Sequence, residues 1–395
     1  MIYLDNGATT FPKPEVVYQA MDTFARTGAV NAGRGAYAAA RAADQMIKNV
    51  RAGLISLMDA REQAQVVLTP SVTIALNQII YGQAWTEKSI AYVSPYEHNS
   101  VLRPLDVLCK KIGFQVLELP LAEDLSIDLA KTAAMFEENP PSFVAVTAVS
   151  NVTGYILPHR EIFRLARRYG AFNLLDGSQA VGLIRLPFAQ TMADAICFAG
   201  HKTLYGPFGI AGFLIKNSAK LQVTLAGGTG TKSEDLAMPT SLPGSMEAGS
   251  KDTVAIAGLE AALKWLPSVK PLEHECAMVA HFIEEAGKID GVELYCAPGG
   301  LQNQAGVVSF GVRGFKAIEV AAILDNKYDI AVRAGHHCAA LIHQHLGSNK
   351  YAGTVRVSPG YFNTMEDIEV LLIALRNLDR SQLEGVADDI LRGAC

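Results

Sequence analysis

Lys202 stands in the run Phe198-Ala199-Gly200-His201-Lys202-Thr203-Leu204-Tyr205-Gly206-Pro207, just past an apolar stretch. A lysine held there in a glycine-rich turn loses its water. Its pKa falls, and the free amine can then condense with an aldehyde. A lysine in a solvated loop would have no such property. Asp176 follows the apolar run Phe172-Asn173-Leu174-Leu175 and precedes Gly177-Ser178-Gln179. A carboxylate at that place can hold a buried cation, or it can cap a helix. Thr69-Pro70-Ser71-Val72-Thr73 joins an apolar run to a helical pattern. Backbone amides and small hydroxyls at a helix start form an anion site, or simply a cap. Near the C-terminus, Arg333-Ala334-Gly335-His336-His337-Cys338-Ala339 places a cysteine beside two imidazoles, and Arg356 follows on an expected strand. A thiol so placed is a candidate nucleophile. The rival chemistry is zinc on His336, His337, Cys338, His343 and His345, but their spacing matches no recognised zinc pattern. Gly227-Gly228-Thr229-Gly230-Thr231-Lys232-Ser233 looks faintly like a phosphate loop. It lacks the Gly-Lys-Ser/Thr ending and opens no apolar helix, so it is not a nucleotide-binding P-loop.

These residues sit at the ends of short apolar runs. The runs at 66–68, 90–93, 143–149, 172–175 and 195–198 are continuous rather than alternating. A parallel sheet buried on both faces requires such strands, so the expected fold class is α/β with a mostly parallel sheet. Ligands of open α/β sheets bind beyond the carboxyl ends of the strands. His98, Asn151, Asp176 and His201-Lys202 are therefore expected to converge. Helical period is clear after Pro14, with Gly28 as the stop, and over 161–169, with Gly170 as the stop. Composition shifts near Leu266-Pro267 and Lys270-Pro271. Beyond it come an expected helix at 273–289, strands near 292–296 and 306–312, and a helix at 317–325. A strand near 330–333, the loop carrying Cys338, a strand at 353–357 and a helix after Thr364 complete the pattern. The expected division is a large unit, 14–266, and a smaller α/β unit formed by 1–13 and 267–395.

Composition narrows the class. Half of the 395 residues are hydrophobic and 18% are charged, which argues against disorder. A net charge of -5 gives no reason to expect nucleic acid or an anionic membrane as partner. No stretch approaches the ~20 apolar residues of a membrane-spanning helix. The start, Met1-Ile2-Tyr3-Leu4-Asp5, does not read as a secretory signal, so a cytoplasmic protein is expected. Six cysteines are scattered without a CxxC pair, so neither a disulfide scaffold nor a structural zinc is expected. Cysteines other than Cys338 lie in apolar stretches or near chain ends and read as small hydrophobes.

Taken in order from Tyr3-Leu4-Asp5-Asn6-Gly7-Ala8-Thr9-Thr10 to the segment beginning at Arg356, these motifs resemble the class V aminotransferase superfamily of pyridoxal-phosphate enzymes. The closest likeness is to the SUF-type cysteine desulfurases, a group that includes selenocysteine lyases. The resemblance implies the aspartate aminotransferase-like fold (fold type I), with a seven-stranded sheet in the large domain. It implies pyridoxal 5'-phosphate on Lys202, with Asp176 at the pyridinium nitrogen and Gln179 at the phenolic oxygen. His98 would stack on the ring and serve as a possible acid/base. Val72 and Thr73, helped by His201, would bind the phosphate. Asn151 and Arg356 would hold the substrate carboxylate, and Cys338 would accept the sulfur. The implied substrate is L-cysteine, with L-selenocysteine as the alternative. Another class V activity, such as transamination or epimerisation, is a further alternative. A homodimer in which residues 228–250 reach the partner's cofactor is implied, as is a sulfur-acceptor protein in iron-sulfur cluster assembly. Three departures stand out: Ala199 where many relatives have serine, the turn Pro70-Ser71-Val72-Thr73-Ile74, and Pro359-Gly360-Tyr361 after Arg356.

Overall fold

The computed structural model describes residues 1–33, 35–230 and 234–384. Its strands are β1 (Ile2–Tyr3), β2 (Ala64–Thr69), β3 (Ile90–Val93), β4 (Gln115–Glu118), β5 (Phe143–Thr147), β6 (Phe172–Asp176) and β7 (Ala195–Ala199). They continue with β8 (Ala211–Lys216), β9 (Val292–Tyr295), β10 (Val308–Val312), β11 (Ile330–Ala331), β12 (Arg333–Gly335) and β13 (Thr354–Val357). The large sheet has seven strands in the order β2-β8-β7-β6-β5-β3-β4. All neighbours pair in parallel except those of β8, which is antiparallel to both β2 and β7. The expectation of a mostly parallel sheet therefore holds, with β8 as the exception.

The continuous apolar strands have a direct physical reason. Side chains alternate between faces with period two. Val66, Tyr92, Val144, Leu175, Ile196 and Phe198 join one core cluster. Their neighbours Val67, Val93, Ala145, Leu174, Ala195 and Cys197 join another. Both faces are covered, so both registers must be apolar. Helices supply the cover. Pro14 precedes Glu15–Thr27, and Gly28 follows it. His159–Ala166 continues as a 3-10 turn to Tyr169 and stops at left-handed Gly170.

A second, antiparallel sheet runs β12-β13-β10-β9 and packs on Pro271–Ala286, Ala317–Tyr328 and Met365–Arg376. Its core contains Phe282, Phe310, Leu324 and Leu372, and Leu4 from the N-terminus belongs to the same cluster. β1 pairs with β11, and Asp5 bridges Ser358, so the first residues fold with this sheet. Residues 330–333, expected as one strand, form two. β11 pairs with β1, whereas β12 pairs with β13, so the chain changes partner at Val332.

One buried knot ties the sheets together. The Tyr205 hydroxyl donates to Glu275 at 2.9 Å and accepts from the Tyr361 amide at 2.8 Å. Tyr205 lies three residues past Lys202, Glu275 on the helix at 271–286, and Tyr361 five residues past Arg356. Burial pushes the Glu275 carboxyl up to about 8, with the Tyr205 bond opposing. A carboxyl that is raised in the fold favours the native state below its unfolded pKa, near 4.5. That contribution is lost as pH rises through about 8. Glu97, also buried and raised to about 8, adds a parallel slope. Urea titrations between pH 5 and 8 should therefore show stability falling with pH. Glu275→Gln should flatten that slope by up to about 1.4 kcal/mol per pH unit. An unchanged slope would show that Glu275 ionises freely in the fold.

Candidate active site

Five strand ends build one cavity. Val72, Thr73, His98, Asn151, Asp176, Gln179, His201 and Lys202 line a cleft of about 620 Å³, part of it open to solvent, together with Ser100 and Ser178. Eight of the ten residues expected from the sequence thus share one space. β2, β3, β5, β6 and β7 point the same way, so their carboxyl ends deliver these residues to one edge of the sheet.

Lys202 reaches the cavity through the turn after β7. Gly200 is required there, since a Cβ would meet the Ile210 carbonyl at 2.4 Å. Protein surrounds the lysine except toward the cavity, and burial pulls its pKa down to about 8. Asp176 opposes that fall, whereas Arg356 and Arg333 add to it. No hydrogen bond or ion pair holds Nζ among the described residues. A second amine lies close by. Lys13 Nζ donates to Thr10 Oγ1 at 2.7 Å and to the His201 carbonyl at 2.8 Å, and burial lowers its pKa to about 7. Lys13 is spent on fixing the turn, whereas Lys202 is not.

Asp176 combines its two sequence readings. Oδ1 accepts from the Ser178 amide at 2.9 Å and the Ser178 hydroxyl at 2.5 Å, which caps the turn. Oδ2 takes no bond from the described residues and is left for a cation. Gln179 spends one amide hydrogen on the Gly7 carbonyl at 2.7 Å. His98 Nδ1 accepts from the Ser100 amide at 3.0 Å, so the neutral ring carries its proton on Nε2. Burial, aided by Lys202, pulls the His98 pKa down to about 4. The Ser100 hydroxyl also touches Thr73 Oγ1 at 3.1 Å.

The helix Val72–Tyr81 is capped by Ser71, whose hydroxyl accepts from the Ile74 amide at 3.3 Å. That leaves the Val72 and Thr73 amides at the cavity wall without an acceptor among the described residues. His201 stacks on Phe208 at 4.4 Å, and its buried Nδ1 has no partner among the described residues. Two free amides and an orphaned imidazole nitrogen make an anion cradle. A cradle for phosphate, a free amine for an aldehyde and a free carboxylate oxygen for a ring cation are what pyridoxal phosphate requires. The residues present fit it. The altered turn at Pro70–Ile74 still presents free amides.

The remaining two expected residues come from the small sheet. Arg356 is fully buried; Nη2 pairs with Asp5 at 2.5 Å and Nη1 donates to the Asn151 carbonyl at 3.1 Å. Its Nε is buried without a partner among the described residues. Cys338 Sγ lies 3.6 Å from Arg333 Nη2, and its backbone carbonyl accepts from the Asn99 amide at 2.6 Å. His337 and Cys338 both take left-handed φ, +49° and +58°. Each such residue costs of order 1 kcal/mol and persists only where its surroundings fix it. Three other thiols are held protonated: burial raises Cys197 well above its ordinary value, and partial burial raises Cys276 and Cys296 to about 11.

Sequence reasoning missed Asp5, Lys13, Asn99 and Arg333 as neighbours of the site. Arg333 was visible in the motif, but only its distance from Cys338 gives it a role. The rings of His336, His337 and His343 pack on one another at 4.9 and 5.9 Å, whereas His345 pairs with Glu118. Among the described residues no group of three His, Cys, Asp or Glu is arranged to hold a metal. Positions 231–233 of the glycine-rich segment, and Cys395, lie outside the described residues.

The chain is similar to known cysteine desulfurases. A probable cysteine desulfurase of Methanothermobacter thermautotrophicus is 31% identical, over 94% of this chain and 92% of its own length. The apo structure of a cysteine desulfurase from Thermococcus onnurineus superposes with a TM-score of 0.88 at 28% identity, covering 96% of this chain and 95% of its own. A cysteine desulfurase of Escherichia coli, solved as its S-sulfonic acid, gives 0.82 at 26% identity, covering 98% and 95%. The family model for aminotransferase class V matches residues 2–371, and the chain belongs to that pyridoxal-phosphate-dependent family.

Proposed function

We propose that this chain is a pyridoxal-phosphate-dependent cysteine desulfurase, a sulfur transferase that converts L-cysteine to L-alanine and leaves the sulfur on Cys338 as a persulfide. The observation that carries the reading is a half-buried, unpaired amine at Lys202 in one cavity with the free oxygen of Asp176, while the Cys338 backbone is tied to Asn99 beside the cavity residue His98. The reported relatives are named for this activity. They lend nothing to the selenocysteine lyase alternative.

When bound, the cofactor supplies an electron sink for the charge left at the substrate's α-carbon. The chain's own residues do the rest. Lys202 would hold the aldehyde, and its Nζ would take the α-proton. Its lowered pKa keeps a share of the amine free near neutral pH. Asp176 keeps a negative oxygen for the ring nitrogen, and Ser178 fixes its orientation. Gln179 would hold the phenolic oxygen with its remaining amide hydrogen. Val72, Thr73 and His201 would bind the phosphate. The neutral ring of His98 would be available to stack on the cofactor. Arg356 and Asn151 hold the substrate carboxylate, and Asp5 sets the guanidinium plane. Cys338 Sγ bonds to the substrate sulfur as the carbon–sulfur bond breaks. Cysteine plus thiol thus gives alanine plus persulfide. Arg333 faces the charge that the attacking sulfur carries.

The reading extends to a homodimer, a cytoplasmic location and a sulfur-acceptor protein serving iron-sulfur cluster assembly. It also takes 14–266 as the cofactor-binding unit, and 1–13 with 267–395 as the unit carrying Cys338. Residues 228–250 are taken to reach the partner's cofactor. Support for a second copy comes from the exposed Phe208 beside His201 and from exposed Val223 and Leu225. No helix among the described residues is long and apolar enough to cross a membrane.

Brief exposure to L-cysteine should add one sulfur to the peptide holding Cys338, read by mass spectrometry. Cys338→Ala should bind cofactor normally and lose sulfur release from cysteine at least a hundredfold. Retained release would remove Cys338 from its role. Sedimentation equilibrium should return twice the chain mass of 42.3 kDa, and a 42.3 kDa species at micromolar concentration would contradict the homodimer.

A further inference from the structure

The sulfur-accepting loop has a backbone that its own sequence does not favour. Within four residues, Gly335, His337 and Cys338 all take positive φ: +107°, +49° and +58°. Only the first is glycine. Two consecutive non-glycine residues in the left-handed region need external restraint.

Three restraints meet there. The His337 side chain is buried, and its Nε2 lies 2.9 Å from the Thr354 hydroxyl and 3.1 Å from the Thr354 carbonyl at the start of β13. The His337 carbonyl accepts from Asn151 Nδ2 at 2.7 Å. The Cys338 carbonyl accepts from the Asn99 amide at 2.6 Å. Asn151 lines the cofactor cavity, and Asn99 directly follows His98, which also lines it. The two carbonyls therefore tie the cysteine to the cavity wall, and the imidazole ties it to the strand that carries Arg356. Burial and the nearby Arg356 keep that imidazole neutral, so it can donate from Nε2 while Nδ1 stays without a partner.

We propose that His337 is a positioning residue for sulfur transfer: anchored on Thr354, it holds the left-handed turn that aims Cys338 at the substrate sulfur. This rests on the desulfurase reading. The inference separates two halves of the reaction. Lys202 and Asp176 do not depend on this loop, whereas Cys338 does. A residue with only a general structural role would weaken both halves together.

The test uses two readouts on the holoenzyme and a third on cofactor-free protein. One is exchange of the α-proton of L-alanine with deuterated solvent, which needs Lys202 and not Cys338. The other is the single-turnover rate of persulfide formation from L-cysteine. His337→Ala should slow persulfide formation at least tenfold and leave exchange within twofold. His337→Gln, whose amide nitrogen can stand where Nε2 lies, should recover most of the loss. In cofactor-free protein, hydrogen exchange at the Asn99 amide should quicken at least tenfold in His337→Ala, since its acceptor is the Cys338 carbonyl. Should His337→Ala not fold, Thr354→Val should slow transfer threefold or more. Wild-type transfer rates in whichever of these two variants folds, or a matching fall in exchange, would overturn the proposal. A wild-type enzyme with neither exchange nor persulfide would instead overturn the function on which it rests.

Discussion

Partial burial of the Lys202 amine without an ion pair among the described residues is the constraint on which the site depends. An ammonium taken partly out of water is costly, and the cost is met by a lowered pKa. The usual remedy, an ion pair, is withheld. Asp176 turns one oxygen to Ser178 and keeps the other free. Glu97, fully buried beside it, is pushed toward its neutral form and bonds to Ser94 and the Thr147 amide instead. Arg356 is balanced by Asp5 rather than by a cavity carboxylate. The cleft is left with one available carboxylate oxygen and one amine, and Arg356 and Arg333 act on that amine from nearby.

The two sheets divide the labour, and their contacts are specific. The large sheet supplies the amine, the carboxylate and the anion cradle. The small sheet supplies Arg356 and Cys338. Asn151 touches both sides, since its carbonyl accepts from Arg356 while its amide donates to the His337 carbonyl. Tyr205 performs a similar duty behind the lysine turn, joining it to Glu275 and Tyr361. Displacing one sheet against the other would thus alter Arg356, Cys338 and the lysine turn together.

Much of the large sheet was legible because burial on both faces leaves no alternation to interpret. The strand ends carrying Asp176 and Lys202 stood out as polar residues after apolar runs. β4 did not, because Gln115–Glu118 is an edge strand with polar residues at both ends. β8 did not, because its carboxyl end points away from the cavity and carries no chemistry. Asp5 and Arg356 are 351 residues apart, and no local pattern announces their pairing. Asn99 acts through a backbone amide, which any residue type would supply. Gln179, expected at the phenolic oxygen, also donates to the Gly7 carbonyl, a bond between residues 172 apart that no local pattern announces.

The most direct test asks which amine holds the aldehyde. Borohydride reduction of the holoenzyme fixes pyridoxal phosphate on the nitrogen that carries it, and peptide mapping then reads the position. The account predicts a single label on Lys202, although Lys13 also has a lowered pKa and lies close by. A label on Lys13, or none on the chain, would contradict it.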